Sequence, residues 1–199
     1  MPGKKSERRK AVEVLEAIKT RRSIRKYKAT PVDDKAVETV LEAARWAPSW
    51  KNKQCWRFVV VRQDKVKNQV ADALKGAKEG VPNRADDAVR TAPVVIVACA
   101  EVGQSGYNRG QPGTDKGDYW YMFDVALATQ NLTLAARSLG LGTVHVGLFD
   151  AKQVAGVLGV PPGFCVVEII PLGYPDEAPE AGSRKELSEI VFYDKYGSG

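Results

Sequence analysis

The stretch from Tyr119 to Leu139 limits the fold more than any other part of the chain. Met122, Val125, Thr129, Leu132, Ala136 and Leu139 recur at helical spacing along one seam, and Phe123, Leu127 and Leu134 form another. Asp124 and Arg137 are the only charges between residues 122 and 139, so this helix is apolar nearly all round and needs partners on several sides. It belongs in a large core or at a subunit interface. Gly140-Leu141-Gly142 ends it, with a left-handed cap expected. A second constraint is Ala92-Pro93-Val94-Val95-Ile96-Val97-Ala98-Cys99-Ala100, an unbroken apolar run that reads as a central strand covered on both faces.

The other elements follow from weaker patterns. Val12, Leu15 and Ile18 predict an amphipathic helix over 8–20, which delivers Arg21 to Arg25 to one place. Asp33-Asp34 caps a second helix with the stripe Val37, Val40, Leu41 and Ala44, ending before Pro48. Trp56 to Val61 is a strand and 64–78 a lysine-rich surface helix. Residues 143–148 read as a short strand, 151–158 as a helix capped by Asp150, 164–172 as a buried strand, and Ile190 to Tyr193 as a final strand with little local cover. The glycine-rich loop from Gly103 to Gly117 is long enough to be functional. These elements predict one α+β domain over 11–199, a central mixed or antiparallel sheet flanked by helices, behind a basic tail at 1–10. Neither GxGxxG after the first strand nor GxxxxGK[ST] is present, so a dinucleotide fold and a P-loop are both unsupported.

With 199 residues and 44% hydrophobic content the chain can bury a core as one unit. No apolar run is long enough to span a bilayer and none follows Met1-Pro2-Gly3-Lys4-Lys5, so the expected location is the cytoplasm, with no membrane partner. Cys55, Cys99 and Cys165 form no CxxC pair, which argues against a disulfide framework and against a metal site; Cys99 and Cys165 are expected to be buried. A net charge of +6 suits an anionic ligand. Much of the excess sits in residues 4–10, read as a solvated, poorly ordered terminus, and no nucleic-acid-binding motif accompanies it.

Thr20-Arg21-Arg22-Ser23-Ile24-Arg25-Lys26-Tyr27 crowds guanidinium forks and a hydroxyl together, a chemistry suited to a phosphate and an electron-rich carbonyl edge. Alone, it reads first as a solvated basic turn at a helix C-terminus. Its company decides the matter: Ala47-Pro48-Ser49-Trp50-Lys51-Asn52-Lys53-Gln54-Cys55-Trp56-Arg57-Phe58, then Gly140-Leu141-Gly142 and Gly147, then Ser183-Arg184-Lys185-Glu186-Leu187. In this order, from about Val12 to Tyr196, the chain resembles the nitroreductase family of FMN-dependent, NAD(P)H-linked oxidoreductases.

The resemblance implies an α+β sandwich and an intertwined homodimer, with the long apolar helix at the two-fold and the C-terminal segment reaching across. It implies FMN as cofactor, NADH or NADPH as co-substrate, and a hydride passed through flavin N5 by a ping-pong mechanism to a nitroaromatic, quinone or similar small-molecule acceptor. Arg21, Arg22 and Ser23 are then expected at the phosphate and ribityl hydroxyls, Arg25 at the N1 and O2 edge, and Arg184 with Lys185 as the rest of a phosphate clamp. Pro48, Ser49, Trp50 and Asn52 match the segment lent to the neighbour's flavin, and Val146 and Gly147 the backbone amide against N5. Asn83 or Arg84 is a further candidate for the pyrimidine edge. Two departures stand out: Trp50 where many members carry serine, readable as an aromatic wall or as packing, and Cys55 for a proline, which frees the local backbone. Trp56 reads as core. His145 is expected to line the ring or pack beneath it rather than act as an acid. Tyr107, Arg109, Tyr119 and Trp120 are candidates for a lid. No catalytic acid or nucleophile is assigned. Alternatives on the same fold are a dehydrogenase, a dehalogenase, a flavin-fragmenting enzyme or a non-catalytic flavin-binding protein.

Overall fold

The apolar helix expected near 119–139 forms at Trp120–Ser138, and it packs against the helices Val14–Thr20 and Asp34–Arg45 and one face of the central sheet. The computed structural model describes residues 13–76, 78 and 80–197; the basic tail at 1–10 and Val12 lie outside them. In chain order the helices are α1 (Val14–Thr20), α2 (Asp34–Arg45), α3 (Asp64–Ala71), α4 (Asp86–Thr91), α5 (Trp120–Ser138) and α6 (Ala151–Leu158). The strands are β1 (Trp56–Val61), β2 (Val94–Glu101), β3 (Tyr107–Asn108), β4 (Gln111–Pro112), β5 (Gly142–Thr143) and β6 (Phe164–Gly173). A four-stranded sheet has the order β1-β2-β6-β5, and every neighbouring pair in it is antiparallel.

Central strand β2 explains the two-layer core. Val95, Val97 and Cys99 point to one face, against Val70 and Ala71 of α3, Ala88 and Val89 of α4 and Val154 of α6. Val94, Ile96, Ala98 and Ala100 point to the other, against Val37, Val40 and Ala44 of α2 and Val125, Ala128, Leu132 and Ala136 of α5. The alternation is the period of two that a strand imposes. Asp33 caps α2 by accepting the Ala36 N–H, and Asp150 caps α6 by accepting those of Lys152 and Gln153. Gly140, at φ 76°, closes α5 in the left-handed region.

Several expectations need correction. α3 stops at Ala71, because Leu74 turns off to bridge Phe149. Of the strand expected over 143–148, only β5 and a bridge from Val146 to Ile169 form. Cys165 is only half-buried, while Cys99 is buried, and all three cysteines are free. On α1 only Ala17 is buried; Val14, Leu15 and Ile18 are exposed, since α5 meets this short helix on one side only. Ile190 to Tyr193 form no strand: they follow a single turn at Leu187–Glu189 and stay exposed, with no strand alongside among the described residues.

Candidate functional site

The basic segment leaves α1 in extended conformation and lies along β5. Ser23 makes a parallel bridge to Thr143, and the Ile24 N–H donates to the Thr143 carbonyl at 2.9 Å. A Cβ on Gly142 would sit 2.7 Å from the Ile24 side chain, so glycine is what allows this approach. From the other side the Glu177 carboxylate accepts the N–H groups of Arg25 and Lys26. Residues 21–25 are thus clamped between β5 and the chain beyond β6.

The clamp encloses a cavity of 290 Å³ lined by Arg21, Arg22, Arg137, Thr143 and Glu177 among others. Arg22 donates to the Lys19 and Arg21 carbonyls, and Arg137 Nε donates to Thr20 Oγ1 at 3.0 Å. Arg21 differs: its buried Nη1 has no partner. Burial, and then the charges of Arg22 and Arg184, hold its pKa below the usual arginine value. Arg184 therefore returns from the far end of the chain to the same neighbourhood, its own Nη1 turned to the Gly182 and Ser183 carbonyls. Lys185 beside it is exposed. Guanidinium stays charged whatever its surroundings, so an acceptor for Arg21 Nη1 is best supplied by an anion.

Where Thr143 lines this cavity, the next residue, Val144, lines a second one of 410 Å³, together with Arg25, Lys78, Asn83, Arg84, His145, Val146 and Gly147. The Val146 N–H donates to the Ile169 carbonyl at 3.0 Å, so of the two expected amides only that of Gly147 is free to donate outward. A Cβ on Gly147 would meet nothing within 4 Å, so no protein group demands glycine there. Asn83 is spent on the rim, its Nδ2 donating to the Lys75 and Leu148 carbonyls. His145 lines the cavity, with Nδ1 2.6 Å from Glu168 Oε1.

Pro48, Ser49 and Trp50 lie elsewhere, lining a cavity of 420 Å³ with Trp120, Phe123, Asp124 and Leu127. Asp124 Oδ2 accepts the Trp50 N–H at 3.0 Å and the Ser105 hydroxyl at 2.6 Å, while its Oδ1 is buried without a partner. Trp50 Nε1 donates to the Tyr107 carbonyl, and its ring stands edge-on to Trp120 at 5.0 Å. In a single chain Trp50 is thus packing for the 103–117 loop. Asn52 is exposed, its Oδ1 accepting from Gln54 Nε2, and Gln54 N donates to Ser49 Oγ. Cys55 does not leave this backbone free: Lys51, Asn52 and Gln54 are held at φ 47°, 55° and 49°, a strained conformation fixed by those bonds. Trp56 is core.

Asp124, Arg137 and Glu168 carried no assigned role in the sequence reading. The available signal was a lone charge inside an apolar run, and each lies in or against one of the cavities. Asp124 and Arg137 are thirteen positions apart on α5, about 20 Å at 1.5 Å per residue, so the helix carries one cavity near each end.

The pattern described as the Nitroreductase family matches residues 18–174, most of the chain. The chain belongs to the nitroreductase family. A relative from Methanothermobacter thermautotrophicus, provisionally named an NADH dehydrogenase/NAD(P)H nitroreductase, is 34% identical over 84% of this chain and 80% of its own length. A nitroreductase family protein from Clostridium novyi superposes with a TM-score of 0.73 at 33% identity, covering 94% of this chain and 96% of that one. The NADPH:FMN oxidoreductase from Vibrio harveyi, solved with NAD+, gives a TM-score of 0.77 at 29% identity, over 92% of this chain and 77% of that one. The nitroreductase fold, an α+β sandwich on an antiparallel sheet, is the one described above. Among the described residues no acidic, histidine or cysteine cluster could hold a metal ion, and no helix is long and apolar enough to cross a membrane.

Proposed function

We propose that this nitroreductase is a cytoplasmic, homodimeric FMN enzyme that takes electrons from NADH or NADPH and passes them, in two half-reactions at one place, to a nitroaromatic, a quinone or a similar conjugated small molecule. The flavin, when bound, supplies the hydride chemistry. The protein supplies grip, orientation and charge.

Arg21 and Arg22, with Arg184 and Lys185, hold the phosphate, and Ser23 the adjacent hydroxyls. Arg25 sets a fixed cation at the pyrimidine edge, where it stabilises negative charge. The Gly147 N–H would hold the ring, and nicotinamide and acceptor would use the same site in turn. Pro48, Ser49, Trp50 and Asn52 of a second copy close the site. Two features support a second copy: the Pro48–Trp50 cavity lies at the other end of α5, and the apolar sides of α1 and of residues 190–193 are bare. Water supplies protons.

The observation that carries the reading is the buried, unpartnered Nη1 of Arg21 between two further arginines. A group so placed fits a phosphate: desolvated, cationic and short of one acceptor. The test is an anaerobic titration of the purified protein with each nicotinamide, followed by a panel of acceptors. The expected protein is yellow, bleaches with NADH or NADPH and regains colour with the acceptor. A protein that takes up no FMN in excess overturns the proposal, and one that is yellow but never bleached supports the non-catalytic flavin-binding reading instead.

A further inference from the structure

His145 is the single histidine of the chain, and it lines the same cavity as Arg25 and Gly147. Its Nδ1 is committed to Glu168 Oε1 at 2.6 Å, and Nε2 has no partner among the described residues. Glu168 interrupts an apolar strand, with its side chain only 16% exposed. The pairing of β2 with β6 explains how it is aimed. Ala98 lies opposite Glu168 while Cys99 lies opposite Val166, so Val167 is an extra residue in a bulge beside it. Bulges re-aim the side chains next to them. A carboxylate on Nδ1 fixes the tautomer and stabilises an imidazolium when one forms.

The charged groups around His145 are Arg25, Lys78 and Arg84 on the cavity wall and Glu168 on its Nδ1. A flavin held here would gain one negative charge on taking a hydride and lose it on giving the hydride up. Among these groups the imidazole alone has one ring nitrogen held by a carboxylate and a second left to exchange a proton.

We propose that His145 takes up a proton at Nε2 from solvent when the cofactor is reduced, and gives it back for the acceptor, with Glu168 as its positioning residue. This rests on the flavin reading above. The nicotinamide gives up a hydride, two electrons and one proton, and leaves oxidised. The second proton comes from water to His145. Hydride and proton together then reduce the acceptor, so charge and atoms balance over the cycle.

The midpoint potential of the bound FMN, measured from pH 6 to 8, tests this. Tenfold in proton concentration is worth about 30 mV for one proton per two electrons and about 59 mV for two. The wild type should follow the steeper slope and His145→Phe the shallower one, while Glu168→Gln should confine the steep region to lower pH. Equal slopes in wild type and His145→Phe overturn the proposal. Should His145→Phe lose flavin, the ring nitrogens of the sole histidine give a second readout by NMR. They should move toward the doubly protonated state on anaerobic reduction at constant pH, and unchanged signals overturn the proposal. A wild-type protein that binds flavin yet fails these tests refutes this inference alone; one that binds no flavin refutes the function as well.

Discussion

Near the C-terminal end of α5 the group left without a partner is cationic, Arg21 Nη1; near its N-terminal end it is a carboxylate oxygen, Asp124 Oδ1. Both are buried polar atoms, yet their surroundings differ. Arg21 is crowded by like charges from Arg22 and Arg184, so the protein makes the position worse for it. Asp124 already holds the Trp50 N–H and the Ser105 hydroxyl through its other oxygen. The first arrangement suits a ligand of opposite charge. The second is a brace that ties the Pro48–Gln54 backbone to the 103–117 loop. Burial without a partner therefore does not by itself mark a binding site; the sign of the neighbours does.

The sharpest way to break this contrast is Arg21→Ala. Losing a buried, charge-assisted contact to phosphate should weaken FMN binding roughly 100-fold, whereas Lys65→Ala on the surface of α3 should leave it unchanged. Equal flavin affinity of the two variants, measured by titration of the flavin-free protein, would count against the anion site. Next comes Asp124→Ala. It strands the Trp50 N–H and Ser105 hydroxyl and should cost about 1–3 kcal/mol in urea unfolding, with faster proteolysis in the 103–117 loop and a smaller loss of flavin affinity than Arg21→Ala. A variant that unfolds normally but releases flavin as Arg21→Ala does would exchange the roles assigned to the two ends.

A smaller effect concerns Asp150, which caps α6 and pairs with Lys75. The Gln153 N–H and then Lys75 hold the Asp150 pKa below its ordinary 3.8. The depressed folded value means that its stabilisation is present above 3.8 and lost as pH falls through the folded pKa. The melting difference between wild type and Asp150→Asn should therefore be modest at neutral pH and close in stronger acid. A difference that persists there would show that the cap, rather than its charge, matters.

α5 and β2 were legible from the sequence because apolar spacing states both the period and the degree of burial. α3 was overextended because Val66, Val70 and Leu74 keep helical spacing beyond Ala71, where the helix ends. Ile190 to Tyr193 carry the composition of a strand, and composition cannot supply the neighbouring strand that would make them one. At the site, the clustered arginines and Pro48–Asn52 could be picked out because their order along the chain is itself a motif. Asp124, Arg137 and Glu168 could not, because each is a single charge whose meaning comes from a residue distant in sequence: Trp50, Thr20 and His145 respectively. Val146 borders the second cavity, but its bridge to Ile169 consumes the amide that the resemblance assigned to N5.

The tie from Trp50 to Tyr107 and Asp124 has a consequence for inheritance of change between copies. If each chain walls the cofactor of its neighbour, an alteration in one chain's 103–117 loop is felt by the arginines of the other. A mixed pair of altered and unaltered chains would then hold one changed site and one intact site, and the changed one would be gripped by the chain whose own sequence had not been touched.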